Sequence, residues 1–203
     1  MKYKWLNKKK HNDIIIFFNG WGMDENIIQH IDYEHYDIIM FYDYNSLDTD
    51  FDFKILEKYN NKYLIAWSMG VMIATLFDIK PTKSIAINGT LKPIDDKFGI
   101  PKRIYDLTIK NLSPDGVQKF INNMFITTND KYVNNREFLN QKNELISIKS
   151  YTANQNFKYD KIIISTQDKI IPTKNQMNFW GIEPNFHSGH CIFYNIKSWR
   201  EIL

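Results

Sequence analysis

Between Leu64 and Ala74 the chain reads LIAWSMGVMIA. An apolar run with the character of a buried strand passes at once into an apolar run with the character of a helix, and only Ser68 and Gly70 mark the join. So short a connection restricts the fold sharply, because strand and helix must meet on a tight turn, with the serine between them held out at the strand's C-terminal end. Other short runs rich in Ile, Val, Phe or Tyr, at 14–18, 38–42, 84–88 and 161–165, read with 63–66 as buried strands. Stretches of helical character separate most of them. This alternation predicts an α/β fold, a mainly parallel sheet flanked by helices, whose reactive groups gather at the C-terminal strand ends.

At 203 residues the chain suits one domain, 1–203. Between the strands at 84–88 and 161–165 the alternation lapses. Ser113-Pro114 has the form of a helix N-cap and first helical residue, and Val117, Phe120, Ile121, Met124 and Phe125 then fall on one helical face. A further helix is expected over 136–147, and "TTND" and "YTANQN" read as turns. The segment 91–160 is thus expected to be a helical insert covering the site as a lid. Basic residues number 26 and acidic residues 23, spread along the chain, a balance that argues against a nucleic-acid footprint. One cysteine excludes an internal disulfide. Residues 1–12 are polar and basic, the next apolar run is short, and no run approaches the roughly 20 apolar residues of a membrane span, so a soluble cytoplasmic protein is expected.

Ala66-Trp67-Ser68-Met69-Gly70 fits a relaxed nucleophile elbow, small-x-Ser-x-Gly, with Ala66 where glycine is usual. The plainer reading is a serine that caps a helix. A nucleophilic serine needs a base, and the base an acid to orient it, in chain order Ser, Asp, His. Asp168 follows the strand at 161–165, and of five histidines only His187 and His190 come after it. Each residue alone suits a turn or a structural role. His190 is favoured as the base because Gly189 permits a close approach and Cys191-Ile192-Phe193 can anchor the loop. An oxyanion hole would take the N–H of Met69, the residue after the serine, and a second from the loop FFNGWGMD, where Gly20 and Gly22 allow the Trp21 N–H to turn inward. The same glycines equally suit a loop whose indole fills the core. Cys191 reads as a small buried hydrophobe. No metal-ligand spacing and no phosphate-binding glycine loop is present in the sequence, and the scheme calls for no metal and no cofactor.

FFNGWGMD, AWSMGV, INGT followed by Pro93 and GIP, and GHCIFY with Trp199 near the end together resemble the BioG type of pimeloyl-acyl carrier protein methyl ester esterase, an α/β-hydrolase. The resemblance implies hydrolysis of a methyl ester at the far end of a pimeloyl chain held on acyl carrier protein, during biotin synthesis. It carries over Ser68, Asp168 and His190 as a triad and the N–H groups of Trp21 and Met69 as the oxyanion hole. For such a substrate, Phe120, Ile121, Met124 and Phe125 would wall an apolar tunnel, and Lys97, Lys102, Arg103 and Lys110 would meet the acidic carrier. The plainer readings are a core stripe and solvated lysines. Two other functions fit the same residues: a serine hydrolase of another short acyl ester or thioester, and a non-catalytic scaffold that binds an acylated partner.

Overall fold

The protein, a computed structural model, is described over residues 1–127 and 132–203. Its centre is a six-stranded sheet of β1 (Lys2–Asn7), β2 (Asp13–Phe18), β3 (Tyr36–Tyr42), β4 (Asn61–Trp67), β5 (Lys83–Ile87) and β6 (Lys161–Ile163), in the order β1-β3-β2-β4-β5-β6. All neighbours are parallel except β1, which runs antiparallel along β3. The expected α/β architecture is present, and β2 to β6 lie where their apolar runs place them. β1 is an addition. Its residues KYKWLN alternate exposed lysines with partly buried aromatics, and that polar content suits an edge strand, where lysines deter pairing with other chains.

Side-chain alternation divides the core into two layers, one on each face of the sheet. Ile14, Ile16, Phe18, Leu64 and Ala66 point into the first, while Ile15, Phe17, Ile65 and Trp67 point into the second. Both faces are therefore dry, as an almost wholly parallel sheet requires. The helical layer between the first strands is thinner than expected. Only short 3-10 turns, Glu25–Ile27 and Phe53–Lys58, cross from β2 to β3 and from β3 to β4, each capped by an aspartate side chain (Asp24, Asp52). After β4 comes α1 (Gly70–Ile73), continued by a 3-10 turn over Ala74–Leu76.

The segment between β5 and β6 holds α2 (Lys102–Asn111), α3 (Pro114–Asn123) and α4 (Phe138–Ile148). Ser113 caps α3 as its sequence suggests, its hydroxyl accepting the Gly116 N–H. The turn expected at 127–130 lies, apart from Thr127, outside the described residues. After β6, α5 (Thr173–Trp180) leads to the last loop, which returns to the sheet through a parallel bridge between Ser165 and Phe186. The registers bring Phe18, Phe41, Ala66, Ile87 and Ile163 to one edge. The residues that follow β3, β4 and β5, namely Asp43, Ser68 and Asn88, all have positive φ, so the chain turns sharply at that edge three times.

Candidate active site

Ser68 stands on the turn between β4 and α1 with φ of 57°, its N–H bonded to the carbonyl of Ile87 at 2.9 Å. The turn closes because position 70 carries no side chain. A Cβ there would lie 2.4 Å from the carbonyl oxygen of Phe18 and 2.6 Å from that of Asn19, so only glycine lets α1 start this close to the end of β2. Ala66 at the strand end is fully buried and small enough for the same approach.

His190 Nε2 is 2.8 Å from Ser68 Oγ, and His190 Nδ1 is 2.7 Å from Asp168 Oδ2. Every other partner of the Asp168 carboxyl is a donor: Ile170 N–H at 2.8 Å and Ile171 N–H at 3.0 Å on Oδ1, and Gln176 Nε2 at 2.8 Å on Oδ2. The carboxylate therefore accepts the imidazole Nδ1–H, which leaves Nε2 free to accept the serine O–H. Asp168 and His190 are 6% and 1% exposed, so this relay is shielded from bulk water. His187, the other candidate, is exposed and has its Nδ1 3.2 Å from the Thr166 hydroxyl. It does not enter the relay.

The His190 loop is held on three sides. Its carbonyl accepts Trp67 Nε1–H at 2.9 Å and Asn88 Nδ2–H at 2.7 Å, and the Cys191 N–H donates to the Met124 carbonyl at 3.0 Å. Gly189 allows the last contact, since a Cβ there would stand 2.6 Å from Met124 O. Asn88 also donates to Ser165 Oγ and accepts the Ser165 N–H, each at 2.7 Å, so one buried amide ties the end of β5 to the loops that carry Asp168 and His190. Sequence reading passed over Asn88, although its place directly after a strand was a signal. Cys191 is buried, and burial pushes its thiol up to about 12, which keeps it neutral and inert.

Ser68, Met69 and Trp21 open together on a cavity of about 250 Å³. Neither the Met69 nor the Trp21 backbone N–H donates to an acceptor among the described residues. Apolar walls come from Ile100, Ile104 and Tyr105 of the α2 region, Phe120 of α3 and Leu145 of α4, while Lys119 and Lys169 also face it. Of the expected tunnel residues, Phe120 lines the cavity, its ring edge-on to Trp21 with 4.8 Å between centroids. Met124 does not; it is fully buried in the second core layer together with Ile121 and Phe125, beneath the His190 loop. The α3 stripe packs mostly as core because its apolar face meets the sheet. Lys102 faces a separate cavity of about 580 Å³ on the other side of α2, and Arg103, Lys97 and Lys110 are exposed without lining the serine cavity. Among the described residues, Lys119 and Lys169 are the basic side chains that line it. Among the described residues no group of three or more His, Cys, Asp or Glu side chains is arranged to hold a metal ion.

A serine on a strand-to-helix turn of a mainly parallel sheet, with a histidine and a carboxylate in line behind it, defines the α/β-hydrolase class. An esterase from Exiguobacterium antarcticum shares this fold, with a TM-score of 0.68 at 16% identity over 95% of this chain and 89% of that one. The crystal structure of BioG from Haemophilus influenzae is closer in sequence, with a TM-score of 0.88 at 28% identity over 100% of this chain and 99% of its own. A Bacteroides fragilis protein named malonyl-[acyl-carrier protein] O-methyltransferase is 38% identical over 180 residues, 83% of this chain, and the chain spans only 36% of that protein's length. Residues 1–202 match the family model for the pimeloyl-ACP methyl esterase BioG. The chain belongs to the BioG family and is a carboxylic ester hydrolase.

Proposed function

We propose that the chain hydrolyses the methyl ester at the far end of a pimeloyl group carried on acyl carrier protein, by a serine mechanism. The observation that carries this reading is the continuous relay Ser68–His190–Asp168 opening on a mainly apolar cavity. Family membership over 1–202 supports the substrate. So does the Bacteroides relative, whose name describes methyl transfer to a carrier-bound acid, because a carboxyl capped in that way needs an esterase to free it.

In this reading His190 takes the Ser68 proton as Oγ attacks the ester carbonyl, and Asp168 holds the imidazole and stabilises its charge. The N–H groups of Met69 and Trp21 receive the developing oxyanion. Collapse of the tetrahedral intermediate breaks the bond to methoxide, which leaves as methanol with the proton from His190. Water then adds to the acyl-enzyme with His190 as base, and the free acid departs on its carrier. The whole chain acts as one domain, and the helices of 91–160 serve as its lid. No metal or cofactor takes part. Cytoplasmic carrier protein is the natural partner, and no helix of the described residues is long and apolar enough to cross a membrane.

The deciding experiment measures release of free pimeloyl-carrier protein from its methyl ester, alongside restoration of biotin-free growth in a host lacking its own esterase. Activity in both with the native chain, and in neither with Ser68→Ala, is the expected result. Turnover of simple short esters without turnover of the carrier-bound ester would replace this substrate with a generic one.

A further inference from the structure

The loop after β2 supplies Trp21, a proposed oxyanion donor. The Asn19 amide ties its ends, accepting the Gly20 N–H at 2.8 Å and donating to Asp24 O at 3.1 Å, but at its tip Gly20 and Gly22 flank the tryptophan and the Met23 N–H reaches Gly20 O only at 3.4 Å. The tip is fixed from α4 and from the segment just before it, where Asn134 Nδ2 donates to Gly22 O at 3.0 Å and Arg136 Nη1 to Met23 O at 3.3 Å. Glu144 Oε2 accepts the Gly22 N–H at 3.1 Å, while Gln141, one turn earlier on the same face, donates Nε2–H to Gly22 O at 3.0 Å. The main-chain carbonyl of Gln141 accepts the Trp21 indole N–H at 2.8 Å. Both backbone groups of Gly22 and the indole of Trp21 thus meet a single turn of α4, with Asn134 sharing the Gly22 carbonyl. The loop lies close to the nucleophile, since a Cβ on Gly20 would be 3.4 Å from Ser68 Cβ.

Glu144 is 0% exposed, and its remaining oxygen accepts the Tyr44 N–H after β3 at 2.9 Å. Arg136 completes the set with Nη2 3.0 Å from Oε2. Burial pushes the Glu144 carboxyl up, against the opposing pull of Arg136 and of the two backbone donors. A charged side chain is a costly way to fill an interior position, and an apolar residue of similar size would pack there with less penalty. What the carboxylate provides that an apolar residue lacks is a fixed acceptor for the peptide next to Trp21.

We propose that Glu144, assisted by Gln141, is a positioning residue for the oxyanion hole, holding the Trp21–Gly22 segment so that the Trp21 N–H meets the ester oxygen as charge develops on it. This rests on the serine mechanism above. Neither side chain is among those lining the cavity, so both act through the backbone, on the rate of acyl transfer and not on the fit of the substrate.

The test is Glu144→Gln, which keeps the volume and one acceptor but turns an amide NH₂ towards one of the two backbone donors. With a small methyl ester, kcat per active site is expected to fall roughly 10- to 100-fold with KM within about twofold, the scale of a displaced catalytic group. Sites are counted by exhaustive fluorophosphonate labelling of Ser68, so that a merely structural loss, which leaves fewer sites each turning over at the full rate, is told apart from slow sites. The rate constant of labelling should drop in step, because the phosphonyl oxygen occupies the same hole. Should Glu144→Gln fail to fold, Gln141→Met combined with Asn134→Ala, which removes both side-chain donors to Gly22 O, is read in the same way for a loss of roughly 3- to 10-fold. A per-site rate equal to wild type, or a loss confined to KM, overturns the positioning role while leaving the serine mechanism intact. Wild-type protein that is fully active yet unlabelled at Ser68 overturns the serine mechanism and this proposal with it.

Discussion

Ser68 bears a left-handed backbone that costs a non-glycine residue about 1–2 kcal/mol, and the fold holds it there through the bond to Ile87 O and the contact of α1 with β2. Since the strain resides in the backbone, Ser68→Ala should remove the proposed nucleophile and leave the fold intact. Esterase activity should fall at least ~10³-fold, with a thermal melt that overlays wild type. His190→Ala should be as damaging, whereas His187→Ala, at an exposed position outside the relay, should stay within about threefold of wild type. Steady-state rates for the three variants check the assignment, and equal losses at both histidines would refute it. Asp43 makes a different prediction. Burial raises its carboxyl, but the hydrogen bonds from Lys2 and Asn45 and the charge of Arg136 outweigh burial and bring it to about 2. A carboxyl depressed in the folded state stabilises above its unfolded value and loses that contribution as pH falls from about 4 towards 2. Asp43→Asn should therefore lower stability at pH 7 and flatten its acid dependence between pH 4 and 2, as read from denaturant titrations across that range.

At the scale of elements, the join of β4 and α1 carries the most information, and it was legible because its chemistry tolerates so few residues. Gly70 tests this. Gly70→Ala would press a methyl group into two carbonyl oxygens of the β2 end, and the expected outcome is a destabilisation of about 1–3 kcal/mol in chemical denaturation. Activity per folded molecule should fall as well, because the same displacement moves Ser68 against the loop at Gly20. The four inner strands were equally readable, since strands buried on both faces leave uninterrupted apolar runs, and the edge strand β6 was marked by its short apolar run as well. β1 was not, because an edge strand of alternating lysine and aromatic residues has the composition of a polar leader. The short 3-10 crossings were missed for a related reason: apolar residues at 27, 28 and 31, or at 53, 55 and 56, imitate a helical face over too few residues to make a helix. Glu144 was hidden by its type, since glutamate in a helix is ordinarily solvated. Yet Gln141, Glu144, Leu145 and Ile148 fall at i, i+3, i+4 and i+7, all buried, and that spacing was the available sign that a carboxylate faced inward.

For the molecule as a whole, a net charge of +3 says little, and the distribution of that charge around the cavity says more. Sequence alone pointed to Lys102 and Arg103, with Lys97 and Lys110, as basic residues of the insert suited to an acidic carrier; in the fold Lys102 faces the larger cavity and Arg103 faces solvent. Lys119 and Lys169 reach the serine cavity from opposite parts of the chain, one from α3 and one from the loop that carries Asp168, and sequence distance concealed their meeting. If an acidic carrier delivers the ester into this cavity, its approach is governed by the charges at the entrance, and these act on encounter and binding more than on the chemical step. The combined substitution Lys119→Glu and Lys169→Glu should therefore raise the apparent KM for carrier-bound methyl pimeloyl substantially more than that for a small uncharged methyl ester. Lys102→Glu with Arg103→Glu, facing elsewhere, should have the lesser effect on the carrier-bound substrate. Raising the salt concentration should narrow the difference between wild type and the Lys119/Lys169 variant, since exposed charges are screened over about 8 Å at physiological ionic strength and over less above it. Parallel kinetics on the two substrates at low and high salt read the outcome. Equal losses on both substrates would make the two lysines part of the cavity wall alone, and a greater effect from the Lys102/Arg103 pair would move carrier docking to the opposite face of α2.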